Sequence, residues 1–300
     1  MGAAGTFPPR LLLWRRMNLL SIQSHVAYGH VGNSAAVFAL QRIGVEVWPV
    51  NTVQFSNHTG YGQWGGQVFD ASLIRDVVRG IEQRGVLAEC DGVLSGYIGS
   101  GAIGDAILDA VAIVRRANPA AKYCCDPAIG DAGRGLFVSE AVAEFMIGKT
   151  VPAADIITPN QFELEYLIGR KCRTLGDARS ALAEVHALGP RVIVVTSLNV
   201  EETPDGSVDL LASDVKACVR VRTPRLPQKF NGAGDTIAAL FFARYLRGGD
   251  LADALAKSAS AVFGVLAKTA EAGAPELQLV AAQDELVHPS RTFDAEVITT

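Results

Sequence analysis

Short runs rich in β-branched residues alternate with stretches of helical periodicity along most of this chain, and no other feature constrains its fold as much. Strands are expected at 19–22, 45–53, 92–95, 122–125, 155–158 and 192–196. Helices are expected between them, at 34–43, 72–83, 103–117, 139–148, 161–168 and 177–188. Continuously apolar strands suit burial on both faces, and parallel strands need crossovers of helix length. The pattern therefore predicts an α/β chain with a central, mostly parallel sheet flanked by helices on both faces. Two antiparallel strands are expected within 208–221, then long helices at 233–246 and 251–270. No Pro/Ser/Gly-rich linker and no internal repeat interrupts the pattern, so 17–300 reads as one domain. Ligands of such sheets sit beyond the carboxyl ends of the strands. Gln23-Ser24, Asp126, Asn160 and Thr196-Ser197 fall there.

Composition narrows the function. The net charge is −4 and no basic block stands out, which speaks against nucleic acid as a partner. Five cysteines, an odd number with no CxxC pair, do not make a disulfide framework or a zinc ribbon, and the reducing cytoplasm is the natural compartment. No run approaches the ~18 apolar residues of a membrane span. Residues 1–16, MGAAGTFPPRLLLWRR, have too short an apolar core for a signal peptide, and most of their basic residues follow it. They are expected to be a disordered or upstream-start extension.

Two nucleotide motifs compete for attention. Residues 143–150 fit a relaxed Walker A pattern, but Phe145, Met146 and Ile147 occupy what should be a glycine-rich loop, and Pro152 follows where a helix should begin. Gly99-Ser-Gly101-Ala-Ile-Gly104 follows a strand and opens a helix, with Asp126 further on at the next strand end. Taken locally, it supports a dinucleotide site and an NAD-dependent oxidoreductase. Against it, the strand ends near Ser95, so Tyr97-Ile98 displace the first glycine from the tight turn.

The segment Asn231-Gly-Ala-Gly-Asp235-Thr236 precedes an apolar helix. Two readings stay open on this hexapeptide alone. One is a phosphate cradle, with backbone N–H groups at a helix N-terminus and Asp235 as a base beside the anion. The other is an exposed turn with Asp235 as a cap. Earlier, SHVAYGHVGNS at 24–34 joins a strand to a helix, with Asn33 as a candidate cap. NTVQFSNHTGYGQW at 51–64 mixes amides, hydroxyls and aromatics, which suits a flat aromatic ligand with polar edges.

These three segments together resemble the pyridoxal kinases of the ribokinase-like superfamily, and the likeness runs from Met17 to the C-terminal region. Matching pieces include Ser95-Gly-Tyr97, the CDPAIGD stretch at 125–131, TPNQFELE at 158–165, Val195-Thr-Ser197 and ELQLVAAQ at 276–283, which is similar to the bacterial branch. The resemblance implies a ribokinase-like fold and transfer of phosphate from ATP to the 5′-hydroxyl of pyridoxal, pyridoxine or pyridoxamine in vitamin B6 salvage. It implies that Ser24, Thr59, Gly60 and Asp235 hold the polar edge of the vitamer and that Val31, Phe55, Trp64 and Tyr97 pack near its ring. Asp126, Thr158, Asn160 and Glu163 would organise Mg-ATP, with Asp126 and Glu163 toward the metal. Thr196 and Ser197 would lie beside the nucleotide phosphates. The N–H groups of Gly232, Ala233 and Gly234 would form an anion hole, with Asp235 as the catalytic base. Mg²⁺, optionally a monovalent cation, and a homodimer are also implied.

Such a set is chemically coherent. Phosphoryl transfer depends on positioning and charge stabilisation, and Mg²⁺ prefers one or two carboxylates together with phosphates and water. The segments 129–135 and 51–66 are the candidate lids that would exclude water. His25, His30 and His58 form no evident metal site, and Cys124-Cys125 reads as strand packing. Three rivals remain: a hydroxymethylpyrimidine kinase of the same superfamily, the oxidoreductase above, and a non-catalytic binder of B6 vitamers.

Overall fold

Strand β1 (Met17–Val26) runs through the interior of a ten-stranded sheet and is the pivot of its topology. The computed structural model describes residues 17–298, so the expectation for 1–16 lies outside the described residues. From β1 the chain moves to β2 (Val45–Phe55) on one side, where β3 (Gly66–Val68) pairs antiparallel at the edge. It then returns to β4 (Cys90–Ser95) on the other side of β1 and continues outward through β5 (Lys122–Cys125). A small separate ribbon, β6 (Gly130–Asp131) with β7 (Gly135–Leu136), interrupts the march. The sheet resumes with β8 (Ile156–Ile157) and β9 (Val192–Leu198), both parallel to β5. Antiparallel β10 (Ser207–Asp214), β11 (Cys218–Pro224) and β12 (Glu296–Val297) complete it. The strand order reverses between β1 and β4, which opens a crevice at their carboxyl ends.

Alternation along β1 shows why helices cover both faces. Leu20 and Ile22 enter one apolar layer with Ile74, Val78, Ile103 and Ile107, whereas Met17 and Leu19 enter the other with Leu40, Phe241 and Phe242. The first layer is roofed by the helices Ala71–Glu82 and Gly101–Ala117, the second by Asn33–Arg42, Ala233–Gly248 and Leu251–Glu271. This is the doubly wound arrangement that the alternation predicts, with helices packed on both sides of one sheet.

Both competing motifs resolve as packing. Lys149 points outward and pairs with Asp105 at 3.0 Å. The helix expected over 139–148 is Glu140–Phe145, followed by a wide π turn at Met146–Thr150. Pro152 explains the widening, since it lacks an N–H and its ring crowds the carbonyl four residues back. In the other motif, Ser100 caps the helix Gly101–Ala117 by accepting from the Ile103 N–H. Gly104 faces the ring of Phe145 so closely that a Cβ would collide with it. These glycines serve helix packing.

Candidate active site

The functional side chains stand at the carboxyl ends of β1, β4, β5, β8 and β9, and two local irregularities aim them. The β1–β2 register slips between Gln23 and His25, next to Ser24. The β9–β10 register slips between Asp209 and Leu211, opposite Thr196-Ser197. Bulges of this kind redirect side chains beside active sites. Ser197 has φ 55, the one non-glycine positive φ among the described residues. A left-handed serine at such a place is strain held by its surroundings. Ser197→Val should therefore cost about 1–3 kcal/mol, and Ser197→Gly should cost nothing measurable. Urea unfolding of both variants checks this; equal stabilities would show that the backbone there is relaxed.

The residues expected on the nucleotide side start with Asp126, immediately after β5. Thr158 donates its hydroxyl to Asp126 Oδ1 at 2.8 Å, and among the described residues no hydrogen bond reaches Oδ2. Burial, reinforced by the charge of Asp235, pushes the Asp126 carboxyl up to about 7. Thr196 is buried and bridges to Asn160, its N–H bonded to the Pro159 carbonyl at 2.9 Å.

Glu163, for which the resemblance implies a place near the metal, also holds backbone together. Its Oε2 accepts the Asn160 N–H at 2.8 Å, closing a capping box on the helix Gln161–Ile168. Its Oε1 accepts the N–H groups of Ile129 and Gly130 at 2.9 and 3.3 Å. Asn160 Nδ2 adds a bond to the Gly130 carbonyl at 2.8 Å. With three donors already on it, this buried carboxylate is the root of the β6–β7 ribbon. Burial and the nearby Asp126 charge hold its carboxyl well above the ordinary range.

Among the residues expected on the acceptor side, Val31 and Phe55 join Val26 and Val53 in a small apolar cluster against Tyr97. Trp64 is about half exposed and packs on Phe55 in a tilted arrangement, 4.1 Å between ring centroids. Gly32 packs directly against Ser24, its neighbour across the turn. Thr59 and Gly60 are exposed, at the start of the turn Thr59–Tyr61, and the Thr59 hydroxyl bonds none of the other candidate residues. Asn33 is not a cap. It is buried, its side-chain oxygen accepts from Ser21 at 2.7 Å, and its amide donates to Asn51 at 2.9 Å, tying β1 to β2.

Asp235 is the candidate expected between the two groups. It lies in the first turn of the helix Ala233–Gly248, whose opening N–H groups are left free by helix geometry. Gly232 precedes that turn with φ 85, and a Cβ on it would collide with the His30 carbonyl oxygen. Only glycine brings the turn this close. Part of the Asp235 side chain remains accessible, but the surrounding protein desolvates it and raises its pKa, while hydrogen bonds from Gly32 and from its own N–H pull the other way. No group of three or more metal-binding side chains occurs among the described residues.

Residues 82–279 match the family model described as phosphomethylpyrimidine kinase. Pyridoxal kinase PdxY of Granulibacter bethesdensis is 59% identical over 94% of this chain and 100% of its own length. The protein of the same name from Corynebacterium diphtheriae is 51% identical over 94% of this chain and 100% of its own length. Among solved structures, the pyridoxal kinase of Leishmania donovani in complex with ADP and pyridoxamine superimposes with a TM-score of 0.86 at 30% identity, covering 94% of this chain and 99% of that one. The identities, the coverage and the shared fold agree: this chain belongs to the pyridoxal kinases, ATP-dependent enzymes that phosphorylate B6 vitamers.

Proposed function

We propose that the chain moves the γ-phosphoryl group of ATP to the 5′-hydroxyl of pyridoxal, with Asp235 as the base. The observation that carries this is the position of Asp235, in the first turn of the helix Ala233–Gly248, where the Gly32 backbone favours its charged form and its charge in turn acts on Asp126. Asp235 takes the hydroxyl proton, the oxygen attacks the γ-phosphorus, and ADP leaves. The free N–H groups of Gly232, Ala233 and Gly234 face the charge that develops on the transferred group; one such donor is worth ~3 kcal/mol in a site closed to water.

Ser24, Thr59 and Gly60 hold the vitamer's polar edge, and Val31, Phe55, Trp64 and Tyr97 take its ring. Thr158, Asn160, Thr196 and Ser197 line the nucleotide side. Mg²⁺ supplied with ATP would neutralise phosphate charge, and Asp126, with one oxygen open, is the side chain that fits it. Glu163 fits only at one remove, through the ribbon it anchors. A monovalent cation remains an optional second ion. The five free cysteines suit a reducing cytoplasm, and among the described residues no helix is long and apolar enough to cross a membrane. The continuous sheet supports one kinase domain from 17 to 300. A homodimer has support in Val68, Leu73 and Val77, exposed apolar residues near the sheet edge that a second copy would cover.

The rival hydroxymethylpyrimidine kinase has one observation in its favour, the description of the matching family model. That match begins at residue 82 and so leaves out the acceptor segments at 24–34 and 51–64. A kinase assay with Mg-ATP and pyridoxal, pyridoxine, pyridoxamine or hydroxymethylpyrimidine decides between them. Turnover is expected with pyridoxal at the highest kcat/KM; preference for the pyrimidine would overturn the assignment.

A further inference from the structure

The segment ELQLVAAQ at 276–283 shares the family resemblance but has no part in the mechanism above, and its first residue makes long-range contacts. Glu276 is 6% exposed. Its Oε1 accepts the Tyr61 hydroxyl at 2.6 Å, and its Oε2 accepts the His30 N–H at 3.3 Å. The carboxylate presses on Gly29 so closely that a Cβ there would collide with it. Burying a carboxylate is costly unless hydrogen bonds satisfy it, and here both oxygens are used.

The partners matter more than the bonds. Tyr61 closes the Thr59–Tyr61 turn of the acceptor loop. His30 lies in the turn that carries Gly32, whose backbone favours the charged form of Asp235. The His30 carbonyl is also the surface on which Gly232 of the anion hole rests, and Leu277 Cδ1 would lie 3.2 Å from a Cβ on Gly232. Glu276 itself is firmly placed: Leu277 and Leu279 are buried, and the Gln278 N–H bonds Thr269 in the helix Leu251–Glu271 at 3.0 Å.

We infer that Glu276 is a positioning residue for phosphoryl transfer, clamping the acceptor loop and the His30 turn together so that vitamer and Asp235 keep one geometry. The inference rests on the proposal that Asp235 is the base and that the 51–66 loop covers the vitamer. Misplacing reacting groups by about 1 Å can cost ~10²-fold in rate. The effect of Glu276 is therefore expected in kcat and in the KM for pyridoxal, leaving the KM for Mg-ATP alone.

Steady-state kinetics of Glu276→Ala, Glu276→Gln, Tyr61→Phe and the double variant Glu276→Ala/Tyr61→Phe test the clamp. Glu276→Ala should lower kcat by about 10–100-fold and raise the pyridoxal KM. Glu276→Gln keeps an oxygen for the His30 N–H and should recover most of kcat. Tyr61→Phe should raise the pyridoxal KM by about 3–10-fold with a smaller change in kcat. The double variant should be no worse in pyridoxal KM than Glu276→Ala, because one contact is removed twice. Wild-type kinetics in Glu276→Ala would overturn the inference, as would a loss spread equally over both substrates that glutamine does not rescue. Asp235→Ala measured alongside separates the two claims: retained turnover there sinks the base, whereas an unaffected Glu276→Ala sinks only the clamp.

Discussion

Asp235→Ala should fold as the parent does and lose about 10²–10⁴-fold in kcat, the usual contribution of a positioned base. The side chain sits in the first turn of its helix and is held desolvated, so its removal should not destabilise the fold at neutral pH. The helix N-terminus and the Gly232–Gly234 N–H groups survive, so residual turnover should come from charge stabilisation alone. The pyridoxal KM should rise only modestly, because the acceptor cluster of Val31, Phe55 and Tyr97 is untouched. Activity of the parent should also fall on the acid side, since the base works only when deprotonated. Desolvation raises the Asp235 pKa, so this limb should lie above the ordinary carboxylate range. Asp126 and Asp235 interact, so the midpoint belongs to the pair.

Asp126→Asn should split stability from activity. The Asp126 carboxyl titrates near pH 7 in the fold against 3.8 when free. Between those values the folded chain holds a proton that the unfolded chain releases, so stability falls as pH rises from about 4 to 7 and stays low above it. Asparagine removes that burden and keeps an oxygen for Thr158. The variant should thus be more stable than the parent at pH 8, by on the order of 1–3 kcal/mol without ligand, and indistinguishable from it at pH 4. Its activity should drop by about 10–100-fold, with a raised KM for Mg-ATP, as the open carboxylate oxygen on the nucleotide side is lost. Chemical denaturation at the two pH values, with kinetics at pH 8, checks both halves. Lower stability at pH 8 would mean that Asp126 is held by a positive partner and not strained by burial.

The layers of the fold were legible because the parallel strands are buried on both faces and write continuous apolar runs. Residues Lys122–Cys125 and Gln161–Ile168 match the expected bounds, and the antiparallel pair after residue 206 was visible from its alternation. Elements of two or three residues, β3, β6, β7 and β12, left no period to detect. For the candidate site, strand ends were the readable signal: Asp126 touches Thr158 there and Asn160 bridges to Thr196. Sequence marked Glu163 as a carboxylate near the nucleotide but not what it binds, because Ile129 and Gly130 reach it from more than thirty residues away. The left-handed Ser197 gave no signal, since glycine or asparagine would be the residue to expect there. Glu276 was equally silent, its partners Tyr61 and His30 lying 215 and 246 residues away.

The central claim is that one carboxylate at the meeting of acceptor and nucleotide sides accepts the hydroxyl proton. Asp235→Asn isolates it, because asparagine keeps an oxygen for the Gly32 N–H and removes only the basicity. The measurement is kcat at saturating pyridoxal and Mg-ATP, followed by absorbance of the phosphorylated aldehyde. A loss of at least ~10²-fold with an unchanged KM for Mg-ATP is the expected result. A kcat within a few-fold of the parent would contradict the account.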